Sequence, residues 1–232
     1  MLGGIHIYLT LALLPAFFLM YYVYKHDVHE KEPPKVLLNL FFLGVLSAIP
    51  AILLESAGEV VIAFLHVPAS LMPIVVATMV GLVEEGCKYF FLYTRTWHDP
   101  NFNYRYDGIV YAVFVSLGFA AIENVMYVFQ FGIGTALLRA VLAVPAHMGF
   151  AVIMGIFYGR AKQAHIRGDQ KEIKRNLILA YVVPVFLHAF YDACALSEST
   201  IAFYFFVAFV IAMYIIIYRL IKQESLGDKS LY

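Results

Sequence analysis

Seven long apolar runs organise the chain, separated by short charged or Gly/Pro-rich stretches: Ile5–Tyr24, Val36–Leu54, Leu71–Tyr93, Gly108–Phe129, Leu137–Tyr158, Asn176–Leu196 and Ile201–Leu220. Each lies near the roughly 20 residues that a helix needs to cross the hydrocarbon core of a bilayer. None alternates polar and apolar positions as the strands of a membrane barrel do. The pattern predicts an all-α, polytopic membrane bundle of about seven transmembrane helices. Residues 55–70 are ambiguous and either prolong the second helix or lie flat at the interface. Glu55 and Glu59 share one face there by i,i+4 spacing, and they read as solvated. No internal repeat or low-complexity segment interrupts the chain. Residues 1–232 therefore read as one membrane-embedded domain, with the polar motifs concentrated at about 71–195.

Composition strengthens this reading. Apolar residues make up 62% of the chain and charged residues 14%, against roughly 45–50% and about 25% in soluble domains. An ordinary water-soluble surface and a disordered chain are both excluded. Sixteen basic residues balance sixteen acidic ones, so nothing points to nucleic acid. Cys87 and Cys194 fall inside apolar runs and read as small hydrophobes. The first run is too long for the core of a cleavable signal and no Lys or Arg precedes it, so it reads as a retained span. Fourteen of the sixteen basic residues fall at 25–35, 94–107, 159–175 and the C-terminal end. By the positive-inside rule the N-terminus is expected outside and the C-terminus in the cytoplasm.

Seven ionisable residues lie within the predicted spans away from their ends: Glu84, Glu85, Lys88, Glu123, His147, His188 and Asp192. Each would cost about 2.5–3.5 kcal/mol at mid-bilayer if it stood alone, so they are expected to face the interior and satisfy one another. Lys88 is spaced to pair with Glu84 (i,i+4) and Glu85 (i,i+3), and His188 with Asp192 (i,i+4). At 1.5 Å per residue, Glu84 lies roughly 15 Å from the cytoplasmic end, His147 and His188 roughly 18 Å, and Glu123 and Asp192 roughly 24 Å. One shared polar site is the economical reading. Lys88 reads as a structural counter-ion, and Glu123–Asn124 could equally be interhelical hydrogen-bond glue. The small residues Ala151, Gly155 and Gly159 read as helix packing. There is no HExxH helix, no GxSxG elbow, and no GxGD to partner Tyr191–Asp192, which leaves glutamate and histidine chemistry with or without a metal.

Four ordered motifs give this set a likeness: Glu84-Glu85-Gly-Cys-Lys88 (EExxK), Phe119-Ala-Ala-Ile-Glu123-Asn124 (FxxxEN), His147-Met-Gly-Phe150 (HxxF) and His188-Ala-Phe-Tyr-Asp192 (HxxxD). Together with the charged loop His29–Pro34, the chain over about residues 25–195 resembles the PrsW family of bacterial membrane proteases. That family shares a clan with type II CAAX prenyl endopeptidases, Abi proteins and the Aph-1 scaffold subunit. Lysine in place of arginine in the first motif, and FxxxEN in place of FxxxH, favour the PrsW branch.

The resemblance implies a glutamic intramembrane endopeptidase of the bacterial cell membrane. Its expected partner is a single-pass anti-sigma factor, cut on the extracytoplasmic side to release an envelope-stress sigma factor. The implied catalytic set is Glu84, Glu85, His147, His188 and Asp192, supported by Lys88, Phe119, Glu123 and Asn124. Glu84 would take the proton from water with help from His147, Glu85 would position it, and His188, oriented by Asp192, would donate to the oxyanion. No cofactor is expected, although Glu84, His147, His188 and Asp192 are zinc-compatible donors. A CAAX-type protease, a non-catalytic Aph-1-like scaffold, and a proton- or cation-coupled transporter stay open as alternatives.

Overall fold

The computed structural model describes residues 2–232, with side chains from His6 onward. Eight helices account for nearly all of it: α1 (Leu2–His26), α2 (Pro34–Phe64), α3 (Met72–Thr96), α4 (Asp107–Phe131), α5 (Ile133–Val141), α6 (Ala143–Ile166), α7 (Gln170–Leu196) and α8 (Thr200–Leu226). Six membrane-length stretches are apolar enough to span a bilayer, α5 and α6 counting as one. Helix α3 falls outside that set because it carries Glu84, Glu85, Lys88 and Arg95. It nonetheless packs between α2 and α7 in the bundle and returns the chain from one end to the other. The protein is thus a multi-pass helical bundle in which α3 is the seventh crossing.

Two boundaries differ from the hydropathy reading. Helix α2 continues through Glu55 and Glu59 to Phe64, so most of the ambiguous segment prolongs the second helix. The fifth run is broken at Leu142, leaving Leu137–Val141 in a separate short helix. Pro145 explains the break, since its ring would clash with the carbonyl four residues earlier if one helix ran through. That carbonyl belongs to Val141 and accepts instead from the Tyr214 hydroxyl.

Helix α4 is apolar all round and correspondingly buried, touching α1, α2, α3, α5 and α6. Two glycine contacts allow the close approach. Gly44 of α2 meets Gly118 of α4, and Gly108 of α4 meets Gly155 of α6, so closely that a Cβ at any of the four would overlap the facing backbone. Such small-residue contacts are how membrane helices gain packing energy without a hydrophobic drive between them.

The connections 27–33 and 97–106 and the C-terminal tail interlock at one end. The Leu231 amide donates to the Asn103 carbonyl at 2.8 Å, and the Tyr106 amide to Asp228 at 3.0 Å. The Ser225 hydroxyl donates to the His26 carbonyl, and Tyr111 to Glu32 at 2.7 Å. Burial pushes the Asp27 carboxyl up to about 6, against the pull of Lys31, and the Glu32 carboxyl up to about 7, against the Tyr111 hydrogen bond.

Two outcomes are expected. Gly118→Val forces α2 and α4 apart and lowers stability in detergent by about 1–3 kcal/mol, read as a drop in Tm and in membrane abundance. The raised carboxyl values make the folded state hold protons that the unfolded chain has released above about pH 4. Tm should therefore fall as pH rises from about 4 to about 7, with a shallower slope in Glu32→Gln.

Candidate active site

The middle of α3 places three charges within five residues, and α7 comes close enough to meet them. Gly81 makes this approach possible, because a Cβ there would press on the Val185 carbonyl at 3.0 Å. Tyr181 Oη secures the seam by donating to the Leu82 carbonyl at 2.9 Å.

The centre is the ammonium of Lys88, 1% exposed. It donates to Glu84 Oε2 at 2.8 Å, Glu85 Oε1 at 2.9 Å and His147 Nδ1 at 3.1 Å. An ammonium has three N–H bonds, and these three acceptors use all of them. Its fourth side rests on the Phe119 ring, 4.2 Å from the centroid, a cation–π contact.

The ring of His147 passes the network on to α4, with Nε2 donating to Glu123 Oε2 at 3.0 Å. A carboxylate only accepts and an ammonium only donates. Those partners set the tautomer: Nε2 carries the proton and Nδ1 offers its lone pair to Lys88. Glu123 also forms a 2.8 Å ion pair with Arg139 of α5. Arg139 in turn donates to Asn124 Oδ1 at 3.1 Å and lies over the Tyr127 ring.

His188 lies on the other side of α3. Its Nδ1 donates to Glu85 Oε1 at 2.9 Å, and Nε2 faces Asp192 Oδ2 at 3.3 Å and Glu84 Oε2 at 4.0 Å. Phe150 stacks on the imidazole at 4.9 Å between centroids.

A cavity of about 780 Å³ reaches this cluster from the end opposite the interlocked loops. Glu84, Phe119, Glu123, His147, His188 and Asp192 line it. Glu85 and Lys88 do not, being fully enclosed behind them. The fold thus separates groups that face the cavity from groups that hold them.

Of the nine site residues expected from sequence, eight meet in this network. Asn124 joins it only through Arg139, which donates to its Oδ1, while its amide nitrogen donates to the Ala12 carbonyl of α1 at 2.8 Å; it ties α1, α4 and α5 together. Both nitrogens of His147, expected to assist Glu84, are engaged by Lys88 and Glu123 in this arrangement. The site set expected from sequence did not include Arg139, nor Phe150 although the HxxF motif ends on it. Arg139 carried a signal, as the one Lys or Arg between Arg105 and Arg160. Glu55 is half-buried on the cavity wall and not simply solvated, whereas Glu59 lines the cavity mouth and stays exposed.

Glu84, Glu85, His147 and His188 bring one donor atom each within 4.8 Å of one another. His nitrogens and carboxylate oxygens are suitable zinc donors, so the set fits in chemistry and spacing. In the observed arrangement Lys88 takes up three of those four side chains.

A family model described as "PrsW family intramembrane metalloprotease" matches residues 32–218. The chain belongs to the PrsW family. All four motifs fall within the matched span. Among its relatives is a Protease PrsW of Halalkalibacterium halodurans, 34% identical over 222 residues, covering 95% of this chain and 98% of the relative. Another, of Geobacillus kaustophilus, is 34% identical over 213 residues, covering 91% and 89%. A third, of Bacillus subtilis, is 32% identical over 204 residues, covering 84% and 86%. No solved structure matches. PrsW membership with six apolar membrane-length stretches makes this a multi-pass bacterial membrane protein. The family description names a metalloprotease, so it does not support the expectation of a metal-free site.

The Lys88 network yields a test. Lys88→Met strands two buried carboxylates, and losing one partner of a buried pair costs about 3–5 kcal/mol. Membrane abundance and Tm should drop sharply. Adding Glu85→Gln should recover part of the loss, because it removes one stranded charge.

Proposed function

We propose that the chain is an intramembrane endopeptidase in which Glu84 activates the attacking water. The observation that carries this reading is the position of Glu84, which alone of the EE pair lines the cavity, with one oxygen anchored on Lys88. Water attacks the scissile carbonyl carbon and gives its proton to Glu84. His188, held through Nδ1 by Glu85, turns its Nε2–H from Asp192 to the oxyanion, the kind of donor that stabilises developing charge. The C–N bond then breaks as the proton on Glu84 passes to the leaving nitrogen. His147 and Glu123 hold the network in place and keep Lys88 oriented.

The Lys/Arg bias puts the interlocked-loop end in the cytoplasm and the mouth of the cavity outside. Such an orientation suits an extracytoplasmic cut in a single-pass membrane protein, and a membrane-spanning anti-sigma factor is the substrate we infer from family membership. Site geometry favours a metal-independent reaction, since Lys88 already supplies the cationic charge that the carboxylates need.

A second reading is favoured by the compact donor set and by the family description. Glu84, His147 and His188 would hold a zinc-type ion, which would supply a Lewis acid for the scissile carbonyl. Metal analysis of the purified protein and cleavage after prolonged chelation separate the two. Full activity without bound metal rules out the ion; loss restored by zinc rules out the metal-independent route.

Glu84→Gln keeps the volume and removes the base. Cleavage of a reporter carrying an anti-sigma transmembrane segment should fall about 10²–10⁴-fold, with membrane abundance near wild type. Glu85→Gln should reduce cleavage less and Tm more. Wild-type cleavage by abundant Glu84→Gln protein would overturn the mechanism.

A further inference from the structure

The carboxylates of the cavity are unevenly matched. Glu84 is paired with Lys88, Glu123 with Arg139 and His147, and Asp192 with His188. Glu55 lines the same cavity from α2, yet its buried Oε1 has no hydrogen-bond partner. Glu59 follows one helical turn further out, also on the cavity wall, and among the described residues neither forms an ion pair. Glu55 lines the same cavity as Glu84, Glu123 and His188, so it shares the wall with the reacting groups and lies outside their network.

A half-buried carboxylate without a partner is costly. A cationic group brought to it would stabilise its charged form and satisfy the open acceptor. Arg139, the Lys/Arg side chain on the cavity wall, is held by Glu123, Asn124 and Tyr127, so it is not free to pair with Glu55, and a cation brought by a substrate is. Any peptide reaching Glu84 from the open end passes Glu59 and then Glu55. Lys and Arg have the stem length to lay methylenes on the apolar wall while the charged head reaches a carboxylate.

We propose that Glu55, seconded by Glu59, is the specificity determinant of the cavity and recognises a lysine or arginine of the substrate close to the scissile bond on its outer flank. This rests on the endopeptidase reading of the site. Discrimination follows from both halves of the pairing: a basic side chain satisfies Glu55, whereas an acidic one adds a second carboxylate without a cation.

The test uses the full-length protein and a series of membrane-anchored reporters in which one Lys, Arg, Gln or Glu is moved residue by residue along the outer juxtamembrane segment. At one position, wild-type protein should cleave the Lys and Arg reporters at least about tenfold faster than the Gln reporter, a difference of about 1.4 kcal/mol. Glu55→Gln should bring that ratio to within about twofold, and Glu55→Lys should turn it in favour of the Glu reporter. Co-purification of the same reporters with Glu84→Gln protein, alone and combined with Glu55→Gln, reads the preference without turnover and reports the abundance of each variant. A ratio that survives Glu55→Gln, or no basic preference in wild type, overturns the proposal and leaves the endopeptidase reading intact. Cleavage of no reporter by wild type, with the binding preference present and dependent on Glu55, sinks the endopeptidase reading instead.

Discussion

The ammonium of Lys88 and its three acceptors are the constraint on which the site depends. A buried lysine is tolerated only when each N–H finds a partner, and here the partners come from α3 itself and from α6. Once those bonds form, the rotamers of Glu84, Glu85 and His147 are no longer independent. His147 then fixes Glu123, Glu123 fixes Arg139, and Glu85 fixes His188. Five helices are tied through one ammonium. In the low-dielectric interior such a network is rigid when fully satisfied and costly when any member is lost.

Rigidity serves the division between enclosed and accessible groups. Glu85 and Lys88 sit behind the cavity wall, while Glu84, His188 and Asp192 stand on it. Adjacent helical residues project about 100° apart, so two consecutive glutamates on α3 naturally serve the two sides of that wall. The glycine contacts at Gly81, Gly118 and Gly155 bring α7, α2 and α6 close enough for side chains of ordinary length to meet. Membership in the PrsW family gives this arrangement its chemical setting, and the network explains why EExxK, FxxxEN, HxxF and HxxxD belong together in space.

At the opposite end the architecture follows a different logic. The loops 27–33 and 97–106 and the C-terminal tail are held by backbone and carboxylate hydrogen bonds, and several of those carboxyls are buried. Burial raises Asp27 and Glu32 toward neutrality, which couples the closure of this end to proton concentration, whereas the cavity end stays open.

Much of the bundle was legible in the chain itself. Apolar run lengths marked the helices because a bilayer demands about 20 apolar residues per crossing. Charges inside the spans marked the site, because none can face lipid cheaply, and i,i+3 and i,i+4 spacing already paired Lys88 with Glu84 and Glu85. What the chain could not show was anything set by the angle and height at which distant helices meet. Arg139 reads as a helix-end charge until α5 folds over Glu123, and Asn124 reads as a direct site residue until the fold sets it between Arg139 and the Ala12 carbonyl. Glu55 reads as solvated until α2 continues past it along the cavity. The tautomer of His147 depends on a lysine 59 residues away. Periodicity along a helix is local, so sequence determined which residues had to be buried together; their hydrogen-bond partners depend on interhelical packing, and only the tertiary structure decided those.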